Sequence, residues 1–205
     1  MKLYFDLRKN IITQKFGQNL LPIYKQYNMK GHNGIDFKYQ SSEKIGSPCD
    51  LLMEIIKNEI DNSGGIGTDG LVKLSEPMLL TTDIGGVDKP VTVKYFKLRF
   101  WHLESWNRKV KDKVETGDKF AIADNTGIST GDHLHFGLKP VVYKNGKWVN
   151  MLQNNGYYGA IDPISFVVNI SPNLLMEILK KQQAIIKEII RQIKEFFKGR
   201  EMVTN

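Results

Sequence analysis

Cysteine and histidine are both scarce in this 205-residue chain, and each scarcity excludes something different. The single cysteine, Cys49, rules out an intrachain disulfide and leaves the redox compartment unreported. It lies between Pro48 and an apolar run, which reads as buried filler. A thiol nucleophile would need an activating partner, and every histidine has a better assignment. Long apolar runs are missing too, so no segment reads as a transmembrane span. The N-terminus, Met1 to Arg8, meets charge too early to hold the apolar core of a secretion signal. The expectation is therefore that any target outside the cell is reached by a route other than a cleaved signal. There is no helix-turn-helix pattern and no aromatic-plus-basic stacking motif, so no specific nucleic acid partner is expected, although the formal net charge is +7. Both parts of the chain share that charge: residues 171–205 carry seven Lys/Arg against four Glu, and the rest carries 22 against 18.

Only four histidines are present, and each sits in a short pattern fit for one metal site. They are Gly31-His32-Asn33-Gly34-Ile35-Asp36, Trp101-His102-Leu103 and His133-Leu134-His135. If these segments are strands, alternation puts His133 and His135 on one face with Leu134 and Phe136 on the other, and sets His32 and Asp36 opposite Ile35 and Phe37. Zinc takes imidazole nitrogen and carboxylate oxygen, and a catalytic site uses about three protein ligands plus an open position. Of the five candidate groups, two are then left for acid–base work. His-Leu-His alone would suit a structural metal equally well.

Four stretches, in order, resemble the lysostaphin-type, LytM-like zinc metallopeptidases that cut peptide bonds in bacterial cell walls. They are Ile12-Thr13-Gln14-Lys15-Phe16-Gly17, the His32/Asp36 pair, His102-Leu103, and Asn125 through Phe136. The resemblance covers roughly residues 10 to 168, with Ile161-Asp162-Pro163 as its closing tripeptide. It implies that His32, Asp36 and His135 are the ligands of one zinc ion (Zn2+) per chain. It also implies that His102 and His133 are the catalytic pair, and that the substrate is a stem or cross-bridge peptide of peptidoglycan, cut at the cell wall. The chain departs from the family pattern at Asp132, where relatives carry proline, and in the long stretch between the first two histidine motifs. The other function classes are a LytM-like binding protein without catalysis and an assembly module organised by the C-terminal segment.

The expected fold is mainly β: an antiparallel β-sheet peptidase domain over residues 1–170, with a groove over the zinc site, plus a C-terminal amphipathic α-helix over 171–205. Residues 91–101 are rich in β-branched and aromatic side chains, and Val141 to Val149 reads as a hairpin around Asn145-Gly146. Gly64-Gly65 and Gly85-Gly86 punctuate the divergent stretch, which is expected to form long mobile loops walling the groove. Tyr24, Tyr27, Trp106, Tyr157 and Tyr158 are candidates to line it. After Pro163 the period changes. Ser171-Pro172 reads as an N-cap with proline at the first helical position, and Gly199 as the stop. Between them Leu175, Leu179, Gln182, Ile186, Ile189, Ile193 and Phe196 form a heptad seam, with Gln182 at a register-setting position. Such a stripe can pack on the peptidase domain, self-associate or dock to a larger assembly such as a virion, or bind a membrane surface. A phage-derived lytic or virion-associated enzyme fits these features.

Overall fold

Phe96, Leu98 and Phe100 are wholly buried while Tyr95, Lys97, Arg99 and Trp101 between them face the other way, the period-two pattern of a strand with one face on a core. The computed structural model describes residues 1–83, 88–170 and 172–201, with side chains over 1–81, 90–170 and 174–195. Its strands are β1 (Leu3–Phe5), β2 (Ile12–Gln14), β3 (Ile35–Lys38), β4 (Lys44–Gly46), β5 (Met53–Ile60), β6 (Ile66–Asp83) and β7 (Asp88–Trp101). They continue with β8 (Leu103–Trp106), β9 (Lys113–Val114), β10 (Lys119–Ala123), β11 (His133–Lys144), β12 (Lys147–Asn150) and β13 (Val167–Asn169). A one-turn helix, α1 (Ile23–Gln26), and a long one, α2 (Pro172–Glu201), complete the set.

The large sheet runs β2-β3-β11-β7-β6-β5-β9, with β12 paired to β11, and all its pairings are antiparallel. A three-stranded antiparallel sheet, β4-β10-β8, lies against its inner face. The contact is aromatic: Phe100 of β7 meets Phe120 of β10 edge-on at 4.9 Å, and Phe136 of β11 at 5.3 Å. Phe5 stacks on Phe37 at 4.2 Å, tying β1 to the same core. Burying each such ring stabilises the fold by roughly 1.5–3 kcal/mol, so these layers hold the sheet whose outer face carries the site. Cys49 is fully buried, and burial pushes its thiol up to about 12, in keeping with a filler role.

Four expectations change. The pair β1–β13 runs parallel rather than antiparallel. His32 is not on a strand but in the loop before β3. The divergent stretch is not a set of long loops: β5, β6 and β7 fill it, because alternation within residues 53–60 and 66–74 finds partners across the sheet. A bulge between Lys73 and Met78 absorbs Pro77, which can donate nothing to a ladder. Gly199 lies within α2, since one glycine costs a helix only about 1 kcal/mol and does not by itself end it. The hairpin turn is as read, with Asn145 and Gly146 both at positive φ (52° and 79°). The Gly85-Gly86 turn and the Ser171 cap lie outside the described residues.

From Leu179 to Ile193 the apolar stripe of α2 is exposed, Ile185 by 59%. Packing of these residues against the large sheet is therefore not the arrangement found. No helix among the described residues is long and apolar enough to cross a membrane.

Candidate metal centre and groove

Sheet register brings the first two groups together. Asp36 of β3 pairs directly with His135 of β11, and His135 pairs on its other side with Trp101 of β7. Ile35, Phe37, Leu134 and Phe136 anchor the opposite face in the core, so both polar side chains project outward. His32 reaches the same point from its loop. Its N–H donates to the Gln18 carbonyl and its own carbonyl accepts from Gly17, both at 2.8 Å. Its Nδ1 lies 3.3 Å from the Lys15 carbonyl, which can only accept, so the ring proton belongs there and Nε2 is left as a lone pair. Gly34 makes the close approach possible: a Cβ there would lie 2.6 Å from both Cε1 of His135 and the Phe136 carbonyl oxygen.

His32 Nε2 then stands 2.9 Å from His135 Nδ1, and each nitrogen is 3.1 Å from Asp36 Oδ1. At most one proton, on His135, serves these three converging atoms, because a carboxylate and the His32 Nε2 are acceptors. Tetrahedral ligands about 2.0–2.1 Å from an ion sit about 3.3 Å from one another, so the triangle needs to open only slightly to hold a metal. The three residues form a cluster whose ligand atoms all lie within 4.8 Å. Burial opposes ionisation of Asp36, yet the hydrogen bond from His135 and the neighbouring His32 ring outweigh it and hold its carboxyl far below the usual carboxylate range. Burial pulls His135 down to about 4, against its bond to Asp36, so its imidazole is neutral at neutral pH as ligation requires.

The other two histidines flank this triangle. His133 opens β11, and its Nδ1 is 2.7 Å from the Gly131 carbonyl and 3.2 Å from Ser129 Oγ, while Nε2 lies 3.7 Å from Asp36 Oδ2. His102 falls between β7 and β8 at φ +64°, a left-handed conformation that non-glycine residues rarely hold. Its Nδ1 donates to the Thr126 carbonyl at 2.8 Å, and its ring lies 4.5 Å from that of His133 and 6.1 Å from that of His135. Burial lowers the pKa of His102, opposed by the Thr126 bond and reinforced by His133. Both rings thus spend Nδ1 on a carbonyl and keep Nε2 as a lone pair.

The five groups open into a groove of about 560 Å3. Tyr24, Tyr27 and Tyr158 line it as expected, whereas Tyr157 packs on Phe16 at 4.5 Å and Trp106 pairs into the small sheet. Asp132 turns to the rim, accepting the Ser41 N–H at 3.1 Å. Arg99 and Asp61 also line the groove and belong to no motif in the sequence, and Trp101, quoted there only as the neighbour of His102, lines it too. Alternation would have found two of them: Arg99 and Trp101 share a strand face ending at His102. The carbonyls of Lys15 and Thr126, which orient His32 and His102, lie inside quoted motifs but carry no side-chain signal.

No family model matches the chain. An uncharacterized metalloprotease of Haemophilus influenzae is 25% identical over 124 residues, 60% of this chain and 21% of that protein. The chain thus spans about a fifth of that relative's length. The catalytic domain of the antimicrobial peptidase lysostaphin from Staphylococcus simulans superposes with a TM-score of 0.51 at 22% identity, covering 78% of this chain and 93% of that one. The solved structure of LytU gives 0.51 at 26% identity, covering 77% and 83%.

Proposed function

We propose, for a chain that has the fold of the lysostaphin-type, LytM-like metallopeptidases, that it is a zinc endopeptidase hydrolysing stem or cross-bridge peptides of peptidoglycan at the bacterial cell wall. The observation that carries this reading is the convergence of His32 Nε2, Asp36 Oδ1 and His135 Nδ1 in a groove, with two further imidazoles beside them. Two neutral imidazoles and one carboxylate form a donor set suited to zinc, leaving an open position and a net positive site. Zinc bound there supplies a Lewis acid that lowers the pKa of water towards about 7 and polarises a scissile carbonyl.

His102 and His133 move the protons. Each has its Nδ1–H fixed by a carbonyl, so each ring is held in one orientation with Nε2 free to accept a proton from the attacking water. Burial keeps His102 neutral, the form a base needs. Once protonated, either ring can hydrogen-bond the developing oxyanion or return the proton to the departing amine. Phage-type delivery, by lysis or on a particle, belongs to the same reading, with α2 as the element for self-association or docking.

The test is zinc content by elemental analysis, read beside release of soluble fragments from purified cell walls. One zinc per wild-type chain, lost in His32→Ala and kept by an inactive His102→Ala, is the expected result. A folded wild type that neither binds added zinc nor releases fragments would refute the reading.

A further inference from the structure

One step further along the groove floor from the five site residues, the sheet carries a group they do not use. Arg99 pairs with Gly137, two residues from the Trp101–His135 pair, a displacement of about 7 Å along the strand. Its Nε and Nη2 make a two-pronged bond to Asp69, at 2.9 and 3.2 Å, and its guanidinium carbon lies 5.1 Å from the centre of the Trp101 ring. Gly67, opposite Trp101, leaves room for the indole: a Cβ there would lie 2.5 Å from the ring. The guanidinium is therefore gripped from two sides. Its Nη1 makes no hydrogen bond to any described residue, and the side chain, a quarter exposed, lines the groove with His135 and Tyr158.

Charged side chains surround it. Asp69, with its side chain only 3% exposed, also faces Lys97 at 3.5 Å, and Glu59 serves Lys57 at 2.6 Å and Arg99 at 3.7 Å. Lys139, buried in the same layer, donates to a neutral acceptor, the Tyr158 carbonyl at 3.0 Å, and pairs with no carboxylate among the described residues. Three cations (Lys57, Lys97, Arg99) meet two carboxylates (Asp69, Glu59), with a third carboxylate, Asp61, lining the groove beside Arg99, so an anion there would be held by the donors of the guanidinium and not by an excess of charge. A preorganised planar fork with unused donors suits a carboxylate better than a neutral amide.

We infer that Arg99 is a specificity residue, binding a free carboxylate of the peptide substrate a short distance from the scissile bond. This rests on the peptidase reading above for the identity of the ligand, though not for the existence of the anion site. The carboxylate can be the peptide's terminal one or a side-chain one within the stem; both present the same chemistry to the guanidinium.

The experiment uses one synthetic stem peptide in three forms: with free carboxylates, with only the terminal carboxyl converted to carboxamide, and with only the internal one converted. Binding to the zinc-loaded full chain is measured by calorimetry, and hydrolysis in parallel. A tenfold or greater loss of affinity in one amidated form is expected, since a charge-assisted hydrogen bond contributes about 1.5–3 kcal/mol. The form that loses affinity identifies which carboxylate is bound. In Arg99→Gln the preference for the free form should fall towards one, and Arg99→Lys, which keeps the charge but not the fork, should lie between. Equal binding of all three forms, or a preference that survives Arg99→Gln, would overturn the inference. The amidation arms need no variant, so they decide even if Arg99→Gln folds poorly. Preference without hydrolysis would instead refute the peptidase reading and leave the anion site standing.

Discussion

The His102 ring is locked to Thr126 by a 2.8 Å hydrogen bond from Nδ1 to the carbonyl oxygen, and the residue making that bond holds its backbone at φ +64°. Left-handed backbone in a non-glycine residue costs on the order of 1 kcal/mol and persists where the surroundings over-determine it. The strain comes from the backbone and Cβ, so alanine keeps it and glycine removes it. His102→Gly should therefore unfold in urea about 1 kcal/mol later than His102→Ala, while both keep their zinc and release no wall fragments. A less stable glycine variant would show that position 102 is not strained.

Gly34 gives a way to empty the metal site without touching a ligand. A methyl group there would intrude to 2.6 Å on the His135 ring and on the Phe136 carbonyl oxygen, and the latter is backbone that cannot step aside. Gly34→Ala should lower zinc content to near that of His32→Ala while the protein remains folded by circular dichroism. Full zinc occupancy in Gly34→Ala would mean that the His135 ring has more freedom than its packing indicates.

Lys139 makes stability rise with pH, as acid denaturation does, but in the alkaline range where carboxylates no longer titrate. Burial, with repulsion from Arg99 and Lys97, brings its ammonium from 10.5 down to about 7. Between those values the unfolded chain binds more protons than the folded one, so stability climbs as pH rises from about 7 towards about 10. Lys139→Met should flatten that climb and raise stability at about pH 6 by on the order of 2–4 kcal/mol, measured by urea unfolding across the range. A slope unchanged by the substitution would place the titrating group elsewhere.

The exposed stripe of α2 should close on a second copy of itself. Sedimentation of the full chain is expected to show an oligomer that removal of residues 172–205 converts to a monomer, with zinc content and wall hydrolysis retained. Gln182→Leu should tighten the oligomer, because a polar residue in a heptad seam sets register at a cost in stability. A monomeric full chain that binds anionic vesicles would assign the stripe to a membrane surface instead.

The parts of the site legible in the sequence were those that a period of two could carry. His133 and His135, and Asp36 between Ile35 and Phe37, sit where alternation puts them because the core takes every second residue. His32 was read onto a strand and lies in a loop, since its position depends on backbone bonds to Gln18 and Gly17 that no side chain announces. The left-handed turn at His102 was not read from residue type either, since even histidine, one of the side chains enriched there, adopts it in only a small minority of cases. Gly64-Gly65 marks the turn between β5 and β6, but long loops were expected around it where these strands and β7 run. Gly67 is wanted there for the room it leaves beneath Trp101, and Gly65 crowds against Trp101 and Asp61. Nothing in the residue types of Lys97 and Arg99 announces their role, because their partner, Asp69, comes from a strand some thirty residues away that alternation alone does not register.

Asp36 and His135 face one another across two adjacent strands, so the spacing of the metal cluster is a statement about sheet register. A slip of one residue would replace His135 by Leu134 and dissolve the cluster while leaving most backbone bonds re-formable. An ion held there binds the native pairing and no other, and by linkage each tenfold excess of free ion over its dissociation constant adds about 1.4 kcal/mol to the correct register alone. A metal bound there would in that sense proofread strand alignment, and its concentration during folding would govern what fraction of chains arrive at the aligned sheet.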